Sequence, residues 1–300
     1  MKAAATILLL ASALAAKGKP APPPPPAAAA VTVDAATAIT QADALWAERV
    51  DPAKLTQALE LYGAAHQADP KNRHVLERLT RGWYFLGDAH STDKDTKIAQ
   101  WKKAMDYGTA CLALNPAYQG RVDGGEKAQD AVSSATKDDV PCIYWYATSL
   151  GKWGKIQGIA KALANLPTVK AFISRIEELD AQYFYFGPAR YWGAYYAVLP
   201  SFAGQDLGKS GEYFDASIKG APQYLPTRGL RAENLAPKTG NIDQFQADLA
   251  AILAFDVTSV PDIQPENTLE QAKARALLAK RGELFDQAVI DAWDAAHPTP

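Results

Sequence analysis

From about Thr37 onward, apolar residues recur at steps of three and four, and Asp-Pro, Asn-Pro, Gly and Pro break the runs. Such steps gather apolar side chains on one face of a helix, whereas a half-buried strand needs strict alternation, which the chain does not show. The pattern therefore predicts an all-α protein. Three segments superpose with identical internal steps: Ala58, Tyr62, Ala65, Pro70; Ala104, Gly108, Cys111, Pro116; and Ser210, Phe214, Ser217, Pro222. Small residues at these steps let two helices approach closely, and Pro stops the second helix, as in the second half of a tetratricopeptide repeat. Trp83-Tyr-Phe-Leu86-Gly87 fits the first-helix half, with His90 in the usual Tyr place, and Leu150-Gly151 echoes it.

Pro70, Pro116 and Pro222 are not spaced by multiples of the roughly 34-residue period, so insertions must separate the units. Val169 to Leu179 followed by Ala189 to Val198 reads as the helix pair that fills the middle gap. The expected architecture is an irregular tetratricopeptide-like array of helical hairpins, about four pairs plus extra helices, over residues 37–300.

The first residues follow a different pattern. Lys2, the apolar run through Ile7-Leu8-Leu9-Leu10 and the small residues Ala13-Leu14-Ala15 have the layout of an export signal over residues 1–15. Residues 16–36 read as an Ala- and Pro-rich spacer that favours extended polyproline over a packed core. No later stretch has the roughly 20 apolar residues of a membrane-spanning helix, and Cys111 is the first cysteine, so no lipid-anchoring Cys follows the signal. A periplasmic chain without an anchor is expected.

Composition narrows the chemistry. A net charge of −2 gives no basic field for nucleic acid. Four His and two Cys supply neither Cys-x-x-Cys nor His-Glu-x-x-His, so no metal or cofactor is expected. Ser134-Ala-Thr-Lys137 matches Ser-x-x-Lys without its companion motifs, and no nucleophile stands in a recognisable context. The expectation is a protein that is not an enzyme. Cys111 occupies a small-residue position, where a buried thiol is natural, while export to an oxidising compartment would let it join Cys142.

The densest feature is Tyr183 to Pro200, with eight aromatic residues. Gly187-Pro188 is expected to break it, after which Tyr191 and Tyr195, and Trp192 and Tyr196, stand four apart on a helix beside Arg190. A second helix carries Trp145, Tyr146, Lys152 and Trp153. Rings with polar tips suit either repeat packing or the wall of a ligand path, and Arg190 and Lys152 can pair with an acid group on a ligand or with a neighbouring carboxylate. Arg228 and Arg231 share a helix face and could bind an anion or brace adjacent repeats, of which bracing is the favoured reading. Asn267 or Thr268 is read as the cap of a helix beginning near Leu269.

Several stretches together resemble the tetratricopeptide T component associated with TRAP transporters, the TatT family. They are Ile143-Tyr-Trp-Tyr-Ala-Thr-Ser-Leu-Gly-Lys-Trp153, Gly187-Pro-Ala-Arg-Tyr-Trp-Gly-Ala-Tyr-Tyr-Ala-Val-Leu-Pro200, Gly204-Gln-Asp-Leu-Gly-Lys-Ser210, Leu225-Pro-Thr-Arg-Gly-Leu-Arg-Ala-Glu-Asn-Leu-Ala236, Glu266-Asn267 and Ala274-Arg-Ala-Leu-Leu278. The resemblance implies a periplasmic homotrimer that docks a TRAP-type solute-binding protein and passes a small organic or apolar ligand through a pore. Members are commonly lipoproteins, from which this chain departs. The alternative is a general envelope scaffold with no ligand path.

Overall fold

The structure is a computed structural model that describes residues 34–298. The signal and most of the spacer expected from the sequence lie outside those residues. The described residues are helical, with no strand among them. The punctuation read from the sequence works mainly as start signals. Asp34 caps α1 (Ala35–Ala47), Asp51 caps α2 (Pro52–Ala68) with Pro52 at the first position, and Asn72 caps α3 (Arg73–Phe85). Each cap accepts a backbone N–H that the first helical turn leaves without a partner. Asp93 caps α4 (Lys94–Leu112) in the same way, and Asn115 caps α5 (Pro116–Asp123). Pro116 thus opens a helix four residues after the end of α4 at Leu112, whereas Pro70 and Pro222 lie in turns that follow helices.

Consecutive helices pack as hairpins: α1 with α2, α3 with α4, α7 (Val140–Gln157) with α8 (Ile159–Asp180), and α9 (Tyr183–Val198) with α10 (Leu207–Gly220). Short α6 (Ala128–Ala131) fills the approach to α7. The middle pairing differs from the one expected. Val169–Leu179 lies on α8, which reverses onto α7 at Gly158, where φ is +111°. Ala189–Val198 lies on α9, whose Gly193 receives the ring of Phe214 from α10; a Cβ there would lie 2.8 Å from that ring. The reversal at one glycine fixes α8 against α7, so α9 is left to pair forward.

The small-residue positions carry the close approaches. Ala58, Ala65, Ala104, Cys111, Ser210 and Ser217 are buried, as are Tyr62 and Phe214 beside them. A Cβ on Gly108 would stand 3.0 Å from Tyr146, and one on Gly87 2.7 Å from the indole nitrogen of Trp101, while Trp83 is half-buried. Cys111 and Cys142 form a disulfide that joins α4 to α7.

The C-terminal part adds α11 (Pro226–Asn234), short α12 (Ala236–Thr239), α13 (Ile242–Ala254) and α14 (Gln264–Ala279), then α15 (Arg281–Leu284) and α16 (Gln287–Ala296). Arg231 grips the fully buried Asp248 of α13 through two bonds of 2.7 Å and also pairs with Asp215 of α10. Arg228 reaches Asp248 at 3.1 Å. Both arginines act as braces. Asn267 does not cap a helix. It lies inside α14, fully buried, accepting from the Leu225 N–H and donating to the Gln223 carbonyl. Helix α14 starts earlier than expected because Pro265 can open it at Gln264.

The array closes on itself. Glu266 of α14 binds Arg49, after α1, and Arg81 of α3, and Leu269 packs on the core formed by α1, α2 and α3. Helices α3, α7, α9, α11 and α14 form an inner layer, with α4, α8, α10 and α13 outside them. The inner helices bring residues from Tyr84 to Lys273 together.

Candidate functional site

The break in the aromatic stretch falls before Gly187, on three consecutive aromatic residues. Phe184, Tyr185 and Phe186 have φ of 45°, 59° and 56° and lie in the left-handed helical region. For residues with a Cβ, that region costs roughly 1–2 kcal/mol each. Arg190, 5% exposed, reaches back from the first turns of the following helix. It donates to the carbonyls of Tyr185 at 2.9 Å and Phe184 at 3.1 Å and to the hydroxyl of Tyr144 at 2.7 Å. Ser217 donates to the Phe186 carbonyl. Two charge-assisted bonds of about 1.5–3 kcal/mol each match the backbone penalty in size. Gly187 and Gly220 supply the room, since a Cβ on either would collide with Tyr144 or Phe186.

No carboxylate within salt-bridge distance neutralises Arg190 among the described residues. Its guanidinium lies 4.3 Å over the ring of Tyr224 and 5.8 Å over that of Phe184. Arg81 covers Phe184 at 4.5 Å and Trp145 at 5.0 Å. Burial works against the charge on Arg81, but Glu266 overrides it and raises the pKa; burial likewise opposes the Glu266 charge, and Arg81 and Arg49 hold its carboxyl low. Beside this bonded, aromatic wall lies a recess marked by Asp88, Lys152 and Lys273, whose side chains are 20%, 39% and 49% exposed although protein atoms surround them.

The rest of the recess is polar. Beyond Phe85, α3 continues into a π-helical turn, Leu86–His90, which presents Asp88. Lys152 of α7 reaches one Asp88 oxygen at 2.6 Å, and Lys273 of α14 reaches the other at 3.3 Å. Burial disfavours the Asp88 charge, yet Lys152 and then Lys273 pull its carboxyl far below the usual range. Glu270, 7% exposed, accepts no hydrogen bond from the described residues; its nearest cation is Lys273, at 4.0 Å. Burial raises its pKa, aided by Asp88 and opposed by Lys273. Its carboxylate rests on the bare backbone of Gly229 in α11, where a Cβ could not fit.

Three phenols face the same space. The hydroxyls of Tyr84, Tyr191 and Tyr224 find no hydrogen-bond partner among the described residues, yet none is sealed from water. Burial pushes all three above the ordinary tyrosine range. Tyr191 sits against Gly151, where a Cβ would lie 2.7 Å from its hydroxyl, one residue from Lys152. The arrangement can hold a molecule with polar or charged ends by hydrogen bonding, and it holds no nucleophile beside a base.

The residues singled out from the sequence divide. Lys152, Arg190 and Tyr191 meet in the recess, and Trp145 backs its wall against Tyr84 and Phe184. Tyr146 packs outward on Phe172 of α8, and Trp153 lies under Lys161. Trp192, Tyr195 and Tyr196 form an aromatic cluster in which Tyr195 meets the other two edge-to-face, Tyr196 lies parallel to Tyr213 of α10 and the Trp192 indole donates to Glu177. Sequence reasoning passed over Tyr84, Asp88, Tyr224, Glu270 and Lys273. The stretches Glu266-Asn267 and Ala274–Leu278, quoted for the family resemblance, pointed toward α14 without singling out Glu270 or Lys273.

No helix among the described residues is long and apolar enough to cross a membrane. A family model described as "TAtT: TRAP transporter T-component" matches residues 50–285, which include every recess residue. No curated protein matches the chain.

Proposed function

Because the chain belongs to the TRAP transporter T-component family, we propose that it is a periplasmic accessory protein of a TRAP-type transport system that docks a solute-binding protein and passes a small organic or apolar ligand through its interior. The observation that carries this reading is the convergence of α3, α7, α9, α11 and α14 on phenol hydroxyls, those of Tyr84, Tyr191 and Tyr224, that have no hydrogen-bond partner among the described residues. Polar groups buried in a fold are nearly always paired, so unpaired ones that water can reach are suited to a guest. Aromatic walls supply contact area at small entropic cost. The Cys111–Cys142 disulfide supports the oxidising location. By the family resemblance the chain works as a homotrimer.

Co-purification tests the reading. A TRAP-type solute-binding protein carrying its ligand should be retained by the immobilised chain at micromolar concentration, and the ligand should pass between the two proteins. Substituting Tyr191→Asp should impair that passage while the helical circular dichroism signal stays. No complex at micromolar concentration would sink the transport reading in favour of a scaffold without a ligand path.

A further inference from the structure

We propose that Lys152 and Lys273 form a site for the acid group of an amphiphilic anion, a carboxylate or sulfonate on an apolar body, and that Asp88 is a resident carboxylate which such a ligand displaces. This rests on the recess being a ligand space. Two ammonium groups, from α7 and α14, converge on one carboxylate from the π-helical turn, one amine to each oxygen, at 2.6 and 3.3 Å. That is how a protein holds the head of a bound acid, here filled by its own side chain. All three groups stay reachable: the side chains of Asp88, Lys152 and Lys273 are 20%, 39% and 49% exposed, although protein atoms desolvate each of them.

Exchange is cheaper than addition. A ligand that brought a new negative charge into a desolvated site already balanced by Asp88 would have to be compensated, whereas trading one carboxylate for another leaves both amines paired. Asp88 can leave because its side chain already touches solvent and its backbone is a π-helical turn, a local irregularity that recurs at functional sites. The head group would find a further donor in the unpartnered Tyr191 hydroxyl beside Gly151, and its apolar body would meet the rings of Tyr84 and Tyr144. The other charged groups facing the two amines are Glu270, Glu233 and Lys155. Glu270 approaches Lys273 only to 4.0 Å and so does not compete as Asp88 does.

Titration calorimetry on the full-length protein with decanoate and with decanamide, both below micelle formation, tests this. Decanoate should bind about tenfold or more tightly than the amide, the difference of one charge-assisted contact pair. Asp88→Asn should tighten decanoate further and leave the amide unchanged, and the double variant Lys152→Gln, Lys273→Gln should abolish the preference for the acid. Equal affinity for acid and amide in the unaltered protein would overturn the anion site while keeping the recess as a ligand space. Binding of neither would overturn both. An acid preference that survives the double lysine variant would place the anion elsewhere and end the proposal. If Asp88→Asn does not fold, the double lysine variant decides alone.

Discussion

Arg190 and Arg231 are both buried, at 5% and 6% exposure, and both look from the sequence like cations in search of a carboxylate. Arg231 finds two. Asp248 and Asp215 hold it, and the pair braces α10, α11 and α13 in a conventional way. Arg190 finds none among the described residues, and spends its donors on two carbonyls and a phenol, with aromatic faces around the charge. One arginine joins elements that would be regular without it. The other holds a backbone turn that its own residues disfavour, and it does so on the wall of the recess. Buried charge thus serves architecture on α11 and local conformation on α9, two helices that pack against each other.

Three changes would break or refine that contrast. The largest effect should come from Arg231→Met, which takes two bonds from Asp248, a side chain with no exposure, and leaves it Arg228 as its cation; a loss of about 3 kcal/mol, the low end for a broken buried pair, is expected from denaturant unfolding. Arg190→Met removes a cation that had no counter-charge, so its cost should be smaller, about 1–3 kcal/mol, and should come with a local change near the turn seen as altered protection of amides around Phe184–Phe186. If Arg190→Met is as destabilising as Arg231→Met, the distinction between brace and local clasp collapses.

The smallest effect concerns pH. Asp88 and Glu266 have folded pKa values below their unfolded ones, so the stability they contribute is present above about pH 4 and lost as pH falls through the lowered values. Glu270 is raised, so its contribution has the opposite sign: it is fully present below about pH 4 and lost as pH rises through the folded value. Glu270→Gln should therefore raise stability modestly at neutral pH and leave the acid limb unchanged. A neutral-pH loss in that variant would mean that its carboxylate is needed in charged form.

The parts of this architecture that depend on neighbours in sequence were legible, and those that depend on closure were not. Ala58, Ala65, Ala104, Cys111 and Ser217 declare themselves by small size at helical steps, because a close helix crossing is a local demand. Asp88, Glu270 and Lys273 look like ordinary surface charges until α14 meets α3, and no spacing rule reaches from residue 88 to residue 273. Asn267 carried the composition of a cap, and only burial against the Gln223–Leu225 loop turns it into a clamp. The break near Gly187 was placed late because glycine is the residue expected at positive φ, whereas tertiary bonds from Arg190 and Ser217 hold three aromatic residues there instead.

The bond between Arg49 and Glu266 spans 217 residues of chain. Hairpins such as α1 with α2 can form from contacts close in sequence, so most of the molecule has a low-contact-order route to its final shape. The recess does not share that route, since its last wall arrives with α14. A chain shortened before residue 264 would keep most of its helices and lose the interior, and ligand competence would appear in refolding as a phase slower than helix formation.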